Sequence, residues 1–281
     1  MFNQNIKSPV NIPVSKIHPF EGNPYKVLDN DEMNTLICSI QEQGILTPII
    51  IRPIENTDEY EVISGHRRLH AIVKAGMKEV PAFIYAINRD EAAIMLVDSN
   101  LHREHILPSE KAFAYKLKLE AMKHQGITCG QVGHKSRDEI SDTDSGRQIQ
   151  RYIRLTYLIP ELLDLVDEEK IALTPAVELS YLTDEEQYAL LGSIEVEDRT
   201  PSLSQAVRFK KLSQAGELSD ESIETIMQED KANQKPMFKV SMEKLQKVAP
   251  KIKDKDFENF VLKACEHYYR YLLRQKDRDS R

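Results

Sequence analysis

Two adjacent arginines at the start of a helix constrain this chain more than any other feature. In "VISGHRRLHAI", residues 62–72, an apolar strand passes through one glycine directly into a helical pattern. Glycine lets the backbone approach a ligand closely, and the first turn of a helix offers unpaired N–H groups that bind anions. Arg67 and Arg68 oppose the helix dipole, which costs stability unless an anion offsets it. Because guanidinium forks suit phosphate oxygens, the segment predicts a site for more than one phosphate.

A second polar segment, "DSNLHREHI", supplies Asn100 and Arg103 three residues apart on one side of a helix end. If this end folds back to the turn at Gly65, Arg103 adds a third guanidinium and Asn100 an oxygen for phosphate-bound Mg²⁺. The alternative is that the arginines pair with surface acids. On that interpretation the nearby histidines are ordinary surface or hydrogen-bonded residues: His66, His70, His102 and His105.

The hydrophobic periodicity predicts an α+β fold. Short strands and helices alternate in the first hundred residues, and only helical patterns follow. We predict five segments: a flexible leader (1–11), a small mixed α/β domain (12–106), an all-α domain (107–195), a partly flexible connector (196–235) and a C-terminal helical segment (236–281).

The composition excludes some functions. The formal net charge is −7, so the chain does not coat nucleic acid through bulk charge, and any basic patch must be local. No stretch approaches the roughly 18 to 20 apolar residues that span a bilayer, and the N-terminus does not resemble a secretory signal. We therefore expect a cytoplasmic protein with no membrane partner.

A helix in "SGRQIQRYIRLTYL", residues 145–158, predicts a contact with double-stranded DNA. One face is apolar, and the opposite face concentrates arginine and glutamine, which read guanine, adenine and phosphate. The preceding "KSRDEISDTD" is predicted to form the first helix and turn of a helix-turn-helix. The candidate DNA contacts are Lys135, Arg137, Ser145, Arg147, Gln148, Gln150, Arg151 and Arg154. The alternative is that this polar face of the helix is only exposed to solvent and contacts no DNA.

The two polar motifs carry a family resemblance. "YEVISGHRRLHAIVKAGMKEVPAFI", followed by "DSNLHREHILPSEKAFAYKLK", resembles the N-terminal domain of the ParB partition proteins over about residues 12 to 190. The resemblance implies that this domain binds CTP with Mg²⁺, and that nucleotide binding closes a dimeric clamp on DNA. Carried over by motif, the nucleotide ligands are Gly65, His66, Arg67, Arg68, Asn100 and Arg103, with Asn100 also next to the metal.

Two positions depart from the family pattern. The family commonly has a glutamate before the motif asparagine, where this chain has Ser99, so the resemblance implies weak or absent CTP hydrolysis and no assigned catalytic residue. The family's base-side segment usually contains a Pro-Arg pair, and this chain has "EGNPYKV" there. The base that is read therefore stays open.

Other functions stay open at this point. A helix-turn-helix transcriptional regulator would use the same DNA helix with an N-terminal domain that needs no nucleotide. Enzymes with related folds, sulfiredoxin and a free-serine kinase, are disfavoured because Ser64 and Ser99 stand where a reactive cysteine and a catalytic carboxylate would be needed.

The ends of the chain predict partners. The last helix has a broad apolar face that predicts packing against the body or a second copy, and the family commonly forms a homodimer there. The family often works with a partition ATPase that engages the N-terminal tail, but "MFNQNIKSP" offers one lysine and no arginine. The implied location is on the nucleoid or on a plasmid.

Overall fold

The computed structural model describes residues 8–103, 105–125, 144–229 and 257–279, with side chains described for residues 260–271 of the last range. The chain forms two compact units, Met1–Glu229 and Asp230–Arg281. The predicted first helix of the helix-turn-helix, with Lys135 and Arg137, lies outside the described residues.

The first unit begins with a five-stranded sheet. Its strands are β1 (Val10–Pro13), β2 (Ile17–His18), β3 (Ile49–Pro53), β4 (Tyr60–Ser64) and β5 (Glu79–Ile84). They lie in the order β1-β5-β3-β4-β2. The β1–β5 and β3–β4 pairs are antiparallel, and the β3–β5 and β2–β4 pairs are parallel. The sheet is therefore mixed, as the sequence predicts.

Helices cover both faces of this sheet. They are α1 (Asp31–Gln43), α2 (His66–Lys74), α3 (Arg89–Leu101) and α4 (Pro108–His124). Successive strand residues point to opposite faces. In β4, Val62 accordingly packs with residues of α1 and α2, while Ile63 packs with residues of α3 and α4.

Local signals set the ends of these helices. The side chain of Asn30 accepts a hydrogen bond from the Met33 N–H at 3.0 Å and caps α1, which ends at Gly44. Asn88 and Glu91 form a capping box at the start of α3. Pro108 begins α4, and its missing N–H removes no hydrogen bond because the first N–H groups of a helix have no partner within the helix. Short-range contacts therefore set where α1, α3 and α4 begin.

Beyond residue 107 the described residues form helices and no strand. The helices are α5 (Gly146–Leu155), α6 (Pro160–Asp167), α7 (Leu173–Leu179), α8 (Asp184–Glu197), α9 (Leu203–Ala215) and α10 (Asp220–Gln228). Helix α4 joins this part to the sheet, because its Ala114 packs with the sheet and its Ala112 packs with the helical core. The predicted α+β fold class, with an all-α region after the sheet, is confirmed.

The structure differs from the sequence prediction over residues 203–228, which were expected to belong to a partly flexible connector. Helices α9 and α10 instead bury Phe209, Ile223 and Met227 in the same core as Leu155 and Leu162. Polar stretches at the helix ends suggested flexible joints, but the apolar face of each helix is covered by its neighbours. Residues 230–235 of the expected connector lie outside the described residues.

The second unit contains helix α11 (Phe257–Asp279). Tyr268, Tyr269 and Tyr271 are each at least half exposed, and the rings of Tyr268 and Tyr271 lie 6.3 Å apart. In the part of the chain that the structure describes, no helix combines the length and the apolar character needed to cross a bilayer.

Packing of α9 into the helical core predicts a large effect of Phe209→Ala. The ring is fully buried, so its loss should lower the free energy of unfolding by about 3–5 kcal/mol, as read from urea denaturation. Leu203→Ala in the same helix is the control, because this side chain is 45% exposed and its loss should cost less than about 1 kcal/mol. Equally small losses in both variants would contradict the packing of α9.

Candidate functional site

The turn between β4 and α2 brings backbone unusually close to the neighbouring strand. Gly65 has φ = +106°, a conformation that L side chains rarely adopt. A Cβ atom at this position would lie 2.8 Å from Cγ2 of Ile49 in β3. Gly65 also begins α2 without a capping side chain, and the first hydrogen bond of the helix runs from Leu69 N–H to the Gly65 carbonyl. The N–H groups of residues 66–68 therefore remain available to an anion.

The two polar motifs line one pocket in front of this turn. Its volume is about 590 Å³, and both the first turn of α2 and the end of α3 line it. All six sequence-predicted nucleotide ligands line it: Gly65, His66, Arg67, Arg68, Asn100 and Arg103. Residues 35 positions apart in the sequence thus line one pocket.

His66 is neutral in this site. Burial, followed by the positive charge of Arg103, lowers the pKa of His66 to about 4. Its Nε2 accepts a hydrogen bond from the Phe20 N–H at 3.3 Å. A neutral imidazole that accepts at Nε2 carries its proton on Nδ1, so the ring keeps an N–H donor for a ligand.

The three pocket arginines have different environments. Nη2 of Arg67 lies 2.9 Å from a carboxylate oxygen of Glu32, and both side chains are largely exposed. Nη1 of Arg68 donates to the carbonyl oxygens of Thr47 and Pro48, and burial lowers the pKa of Arg68. Arg68 therefore fixes the segment before β3 and is only partly free to bind a ligand.

Arg103 is the third guanidinium of the pocket. Its side chain is exposed, and its Cζ lies 5.5 Å from the ring centroid of Tyr25. No salt bridge joins Arg103 to another residue within the described ranges. The cation–π contact holds the guanidinium at the edge of the pocket without neutralising it.

Asn100 lines the pocket, and its amide nitrogen is hydrogen-bonded within α3. The residue is 6% exposed, and its Nδ2 donates to the Leu96 carbonyl at 2.7 Å and to Oγ of Ser99 at 3.3 Å. With Nδ2 used inside α3, Oδ1 is the amide atom left for a ligand. Asp98 points elsewhere, to a salt bridge with the buried Lys118 of α4, so it does not replace the carboxylate missing at Ser99.

Helix α1 contributes pocket residues that the sequence reasoning missed. Glu32, Thr35, Leu36 and Ser39 line the pocket from one face of α1. Their spacing of three, four and seven residues is the helical signal that could have found this face. Sequence alone did not show that this face of α1 lies beside the first turn of α2.

The oxygen donors in the pocket fit a metal ion only together with a phosphate ligand. No cluster of three or more histidine, cysteine or acidic residues with metal-binding geometry occurs among the described residues. Mg²⁺ is commonly held by one or two carboxylates together with substrate phosphates. Oδ1 of Asn100 and the carboxylate of Glu32 are oxygen atoms of this kind among the residues that line the pocket.

The segment at residues 20–26 connects the edge of the pocket to the helical part. Lys26 Nζ lies 3.4 Å from a carboxylate oxygen of Asp164 and 3.5 Å from one of Asp167 in α6. The Lys26 backbone N–H donates to Glu110 at the start of α4. The chain next to Tyr25 is thus tied to two helices of the helical part.

Helix α5 and its N-cap residue contain six of the eight predicted DNA contacts: Ser145, Arg147, Gln148, Gln150, Arg151 and Arg154. Ser145 caps it by accepting the Gln148 N–H at 3.4 Å. Arg147 and Gln150 are exposed, while Gln148 and Arg151 are half-buried. Arg151 donates to Oγ1 of Thr174 in α7, so the exposed polar face of the helix is narrower than the sequence suggests.

Arg154 does not lie on the exposed stripe expected from the sequence. Its guanidinium donates to Oγ and to the carbonyl oxygen of Ser180, at 3.0 and 2.7 Å. It also lies 4.4 Å from the ring centroid of Tyr157 and 3.9 Å from that of Tyr181. These contacts hold the end of α5 against α7, because the next turns of the chain cover the side chain.

Fold and site together define a mixed α/β domain with a pocket lined by three arginines, followed by a helical domain. Residues 3–101 match the family model described as the ParB N-terminal domain. The N-terminal part of this chain is therefore similar to the ParB N-terminal domain.

Curated relatives of this chain include a chromosome-partitioning protein and a nucleoid occlusion protein. The chain is 32% identical over 162 residues to "Chromosome-partitioning protein Spo0J" of Thermus thermophilus, covering 58% of this chain and 56% of that protein. It is 39% identical over 109 residues to "Nucleoid occlusion protein" of Geobacillus sp. strain WCH70, covering 39% of this chain and 38% of that protein. In these matches the chain spans about half the length of its relatives or less.

Solved structures with a likeness to this chain include two of C-terminally truncated chromosome-partitioning protein ParB from Caulobacter crescentus. The one complexed to the centromeric parS site has 19% identity and a TM-score of 0.42, covering 78% of this chain and 98% of that chain. The one complexed with CTP-gamma-S has 21% identity and a TM-score of 0.33, covering 67% of this chain and 99% of that chain.

The close approach of Gly65 to β3 predicts a steric effect of Gly65→Ala. The variant adds a methyl group within 2.8 Å of Ile49, in addition to the strain of a positive φ. Gly76→Ala is the control, because Gly76 also has a positive φ (+73°) but nothing within 4 Å of the added atom. We expect Gly76→Ala to cost about 1 kcal/mol in unfolding free energy and Gly65→Ala at least about 1 kcal/mol more. Equal losses in urea denaturation would contradict the clash.

Proposed function

We propose that this chain is a sequence-specific DNA-binding protein of chromosome or plasmid partition. It acts as a dimeric DNA clamp whose closure is controlled by CTP. The ligands of the triphosphate are Gly65, His66, Arg67, Arg68, Asn100 and Arg103. Weak or absent CTP hydrolysis is part of the proposal.

The observation that carries this proposal is the meeting of two separated motifs in one pocket of about 590 Å³. The pocket combines the free N–H groups of the first turn of α2 with the guanidinium groups of Arg67 and Arg103. These are the donors that bind phosphate most strongly. The names of the curated relatives, a chromosome-partitioning protein and nucleoid occlusion proteins, support partition or nucleoid organisation as the role.

Mg²⁺ is the proposed companion of the nucleotide. It would neutralise charge on the phosphates, and Asn100 would supply one oxygen ligand through Oδ1. Ser99 offers a hydroxyl in place of a carboxylate, and this hydroxyl donates to the Leu96 carbonyl at 3.0 Å. A hydroxyl used in this way does not act as a general base, which supports weak or absent hydrolysis.

The DNA-binding part of the proposal rests on α5. Arg147 and Gln150 are exposed near the start of the helix, where the N-terminal residues of a recognition helix contact base edges. Gln148 and Arg151 lie beside them, and Ser145 fixes the start of the helix. Lys135 and Arg137 are proposed as phosphate contacts from the segment before it.

The proposal also includes a second copy of the chain, a cellular location and a partner ATPase. Exposed aromatic side chains on α11 support a homodimer through this helix, because an exposed apolar face is stabilised by burial against a second copy. A two-fold dimer would let two α5 helices reach two half-sites of one DNA site. Association with the nucleoid or with a plasmid follows from DNA binding, and a partition ATPase is the proposed partner of the N-terminal tail.

Nucleotide binding tests the pocket assignment. We expect the purified chain with Mg²⁺ to bind CTP in preference to ATP, GTP and UTP in isothermal titration calorimetry. Arg67→Ala and Arg103→Ala should each weaken CTP binding by about 10- to 150-fold, because each removes a charge-assisted contact worth about 1.5–3 kcal/mol. Phosphate release in the same samples should be slow or absent.

The control for this test is Arg199→Ala, which removes one exposed positive charge outside the pocket. It should bind CTP like the wild type. If no nucleotide binds at millimolar concentration, or if all three variants lose affinity equally, the assignment of the pocket to a triphosphate is wrong.

DNA binding tests the role of α5. A pool of random duplexes selected with the wild-type chain provides the probe. Arg147→Ala should weaken binding to the selected duplex by about 1–3 kcal/mol without changing thermal stability, since the side chain is exposed. Arg154→Ala should lower thermal stability, because it removes the contacts with Ser180 and Tyr181. Wild-type DNA affinity in Arg147→Ala would contradict the assignment of α5.

A transcriptional regulator without a nucleotide is the second candidate function. The ion pair of Arg67 with Glu32 and the bonds of Arg68 to two backbone carbonyls favour it, because these partners satisfy both arginines without an anion. The two functions differ in the calorimetric experiment. DNA binding by a chain that binds no nucleotide would select the regulator.

A further inference from the structure

Glu32 is the acidic residue among the described residues that line the anion pocket. It lies in the first turn of α1, and its carboxylate oxygen is 2.9 Å from Nη2 of Arg67. A carboxylate is an unusual neighbour for a site that collects guanidinium groups and helix N–H donors. The position of Glu32 beside these groups therefore indicates a role in ligand binding.

The pair between Glu32 and Arg67 can exchange partners. The two side chains are 73% and 44% exposed, and an exposed ion pair contributes only about a 1.4- to 5-fold factor to an equilibrium. Phosphate oxygens compete for the same guanidinium with a higher charge. A bound triphosphate would thus take Arg67 away from Glu32.

A carboxylate released beside phosphate groups is repelled by them unless a cation lies between. The other candidate acid near this end of α3, Asp98, is held by the buried Lys118 of α4. Ser99 has no charge, so neither position supplies a carboxylate to a metal. Glu32, with Oδ1 of Asn100, completes an oxygen set that suits Mg²⁺ bound to phosphates.

We propose that Glu32 is the carboxylate ligand of the Mg²⁺ that accompanies the bound triphosphate. In this role it leaves Arg67 to the phosphates when the nucleotide binds. The proposal rests on the proposed nucleotide-binding function. It makes a residue of α1 the reason why CTP binding depends on Mg²⁺.

The test compares CTP affinity with and without metal. Kd for CTP is measured by calorimetry in excess Mg²⁺ and again in EDTA. The Kd in EDTA divided by the Kd in Mg²⁺ reports the contribution of the metal. Glu32→Gln should reduce this ratio by about 10-fold or more, because loss of a charged ligand weakens metal binding. In EDTA the variant should bind CTP equally well or up to about 5-fold more tightly, since Arg67 loses its competing partner.

Glu42→Gln is the matched control. It removes one negative charge from the same helix, and Glu42 is exposed and does not line the pocket. Its ratio should equal that of the wild type. Mn²⁺ binding in the presence of CTP, followed by electron paramagnetic resonance, gives a second readout that should weaken in Glu32→Gln and not in Glu42→Gln.

The outcomes separate three cases. An unchanged ratio in Glu32→Gln overturns the metal role. Tighter CTP binding by Glu32→Gln in both Mg²⁺ and EDTA also overturns it and makes Glu32 only a competitor of the phosphates for Arg67. Absence of CTP binding by the wild type refutes the proposed function itself, and the role of Glu32 with it, before any variant is compared.

Discussion

The pocket depends on the close approach of Gly65 to β3. Only a residue without a Cβ atom fits the space above Ile49 with φ = +106°. This turn directs α2 so that the free N–H groups of its first turn face the end of α3. The guanidinium of Arg68 reinforces the arrangement by binding the carbonyl oxygens that precede β3. A side chain at this position would displace the helix start and the pocket together.

Basic groups converge on this turn, and the surroundings keep one of them uncharged. His66 has a pKa of about 4 because it is partly buried and lies near Arg103, so it adds no positive charge at neutral pH. The N-terminus of α2, Arg67 and Arg103 keep their positive charge. Positive charge at the start of a helix is unfavourable without a counter-ion. Glu32 partly supplies one in the described structure, and a phosphate would supply more.

The pocket and the candidate DNA helix belong to one compact unit and are linked through α4. Tyr115 of α4 packs with Ile149 of α5, while the start of α4 receives the Lys26 N–H through Glu110. Lys26 follows Tyr25, whose ring contacts Arg103. A change at the pocket edge therefore has a short physical path to α5, through packed side chains and hydrogen bonds.

The sequence by itself determined the features that depend on neighbouring residues. These include the strand–glycine–helix turn and the change from mixed α/β to helical structure, because turns and periodicity are short-range. The tertiary structure decided which surfaces meet. It placed Glu32 in the pocket, used Arg68 and Arg154 for internal contacts, and packed residues 203–228 into the helical core. Sequence spacing shows which face a residue occupies, but only the packed fold shows what covers that face.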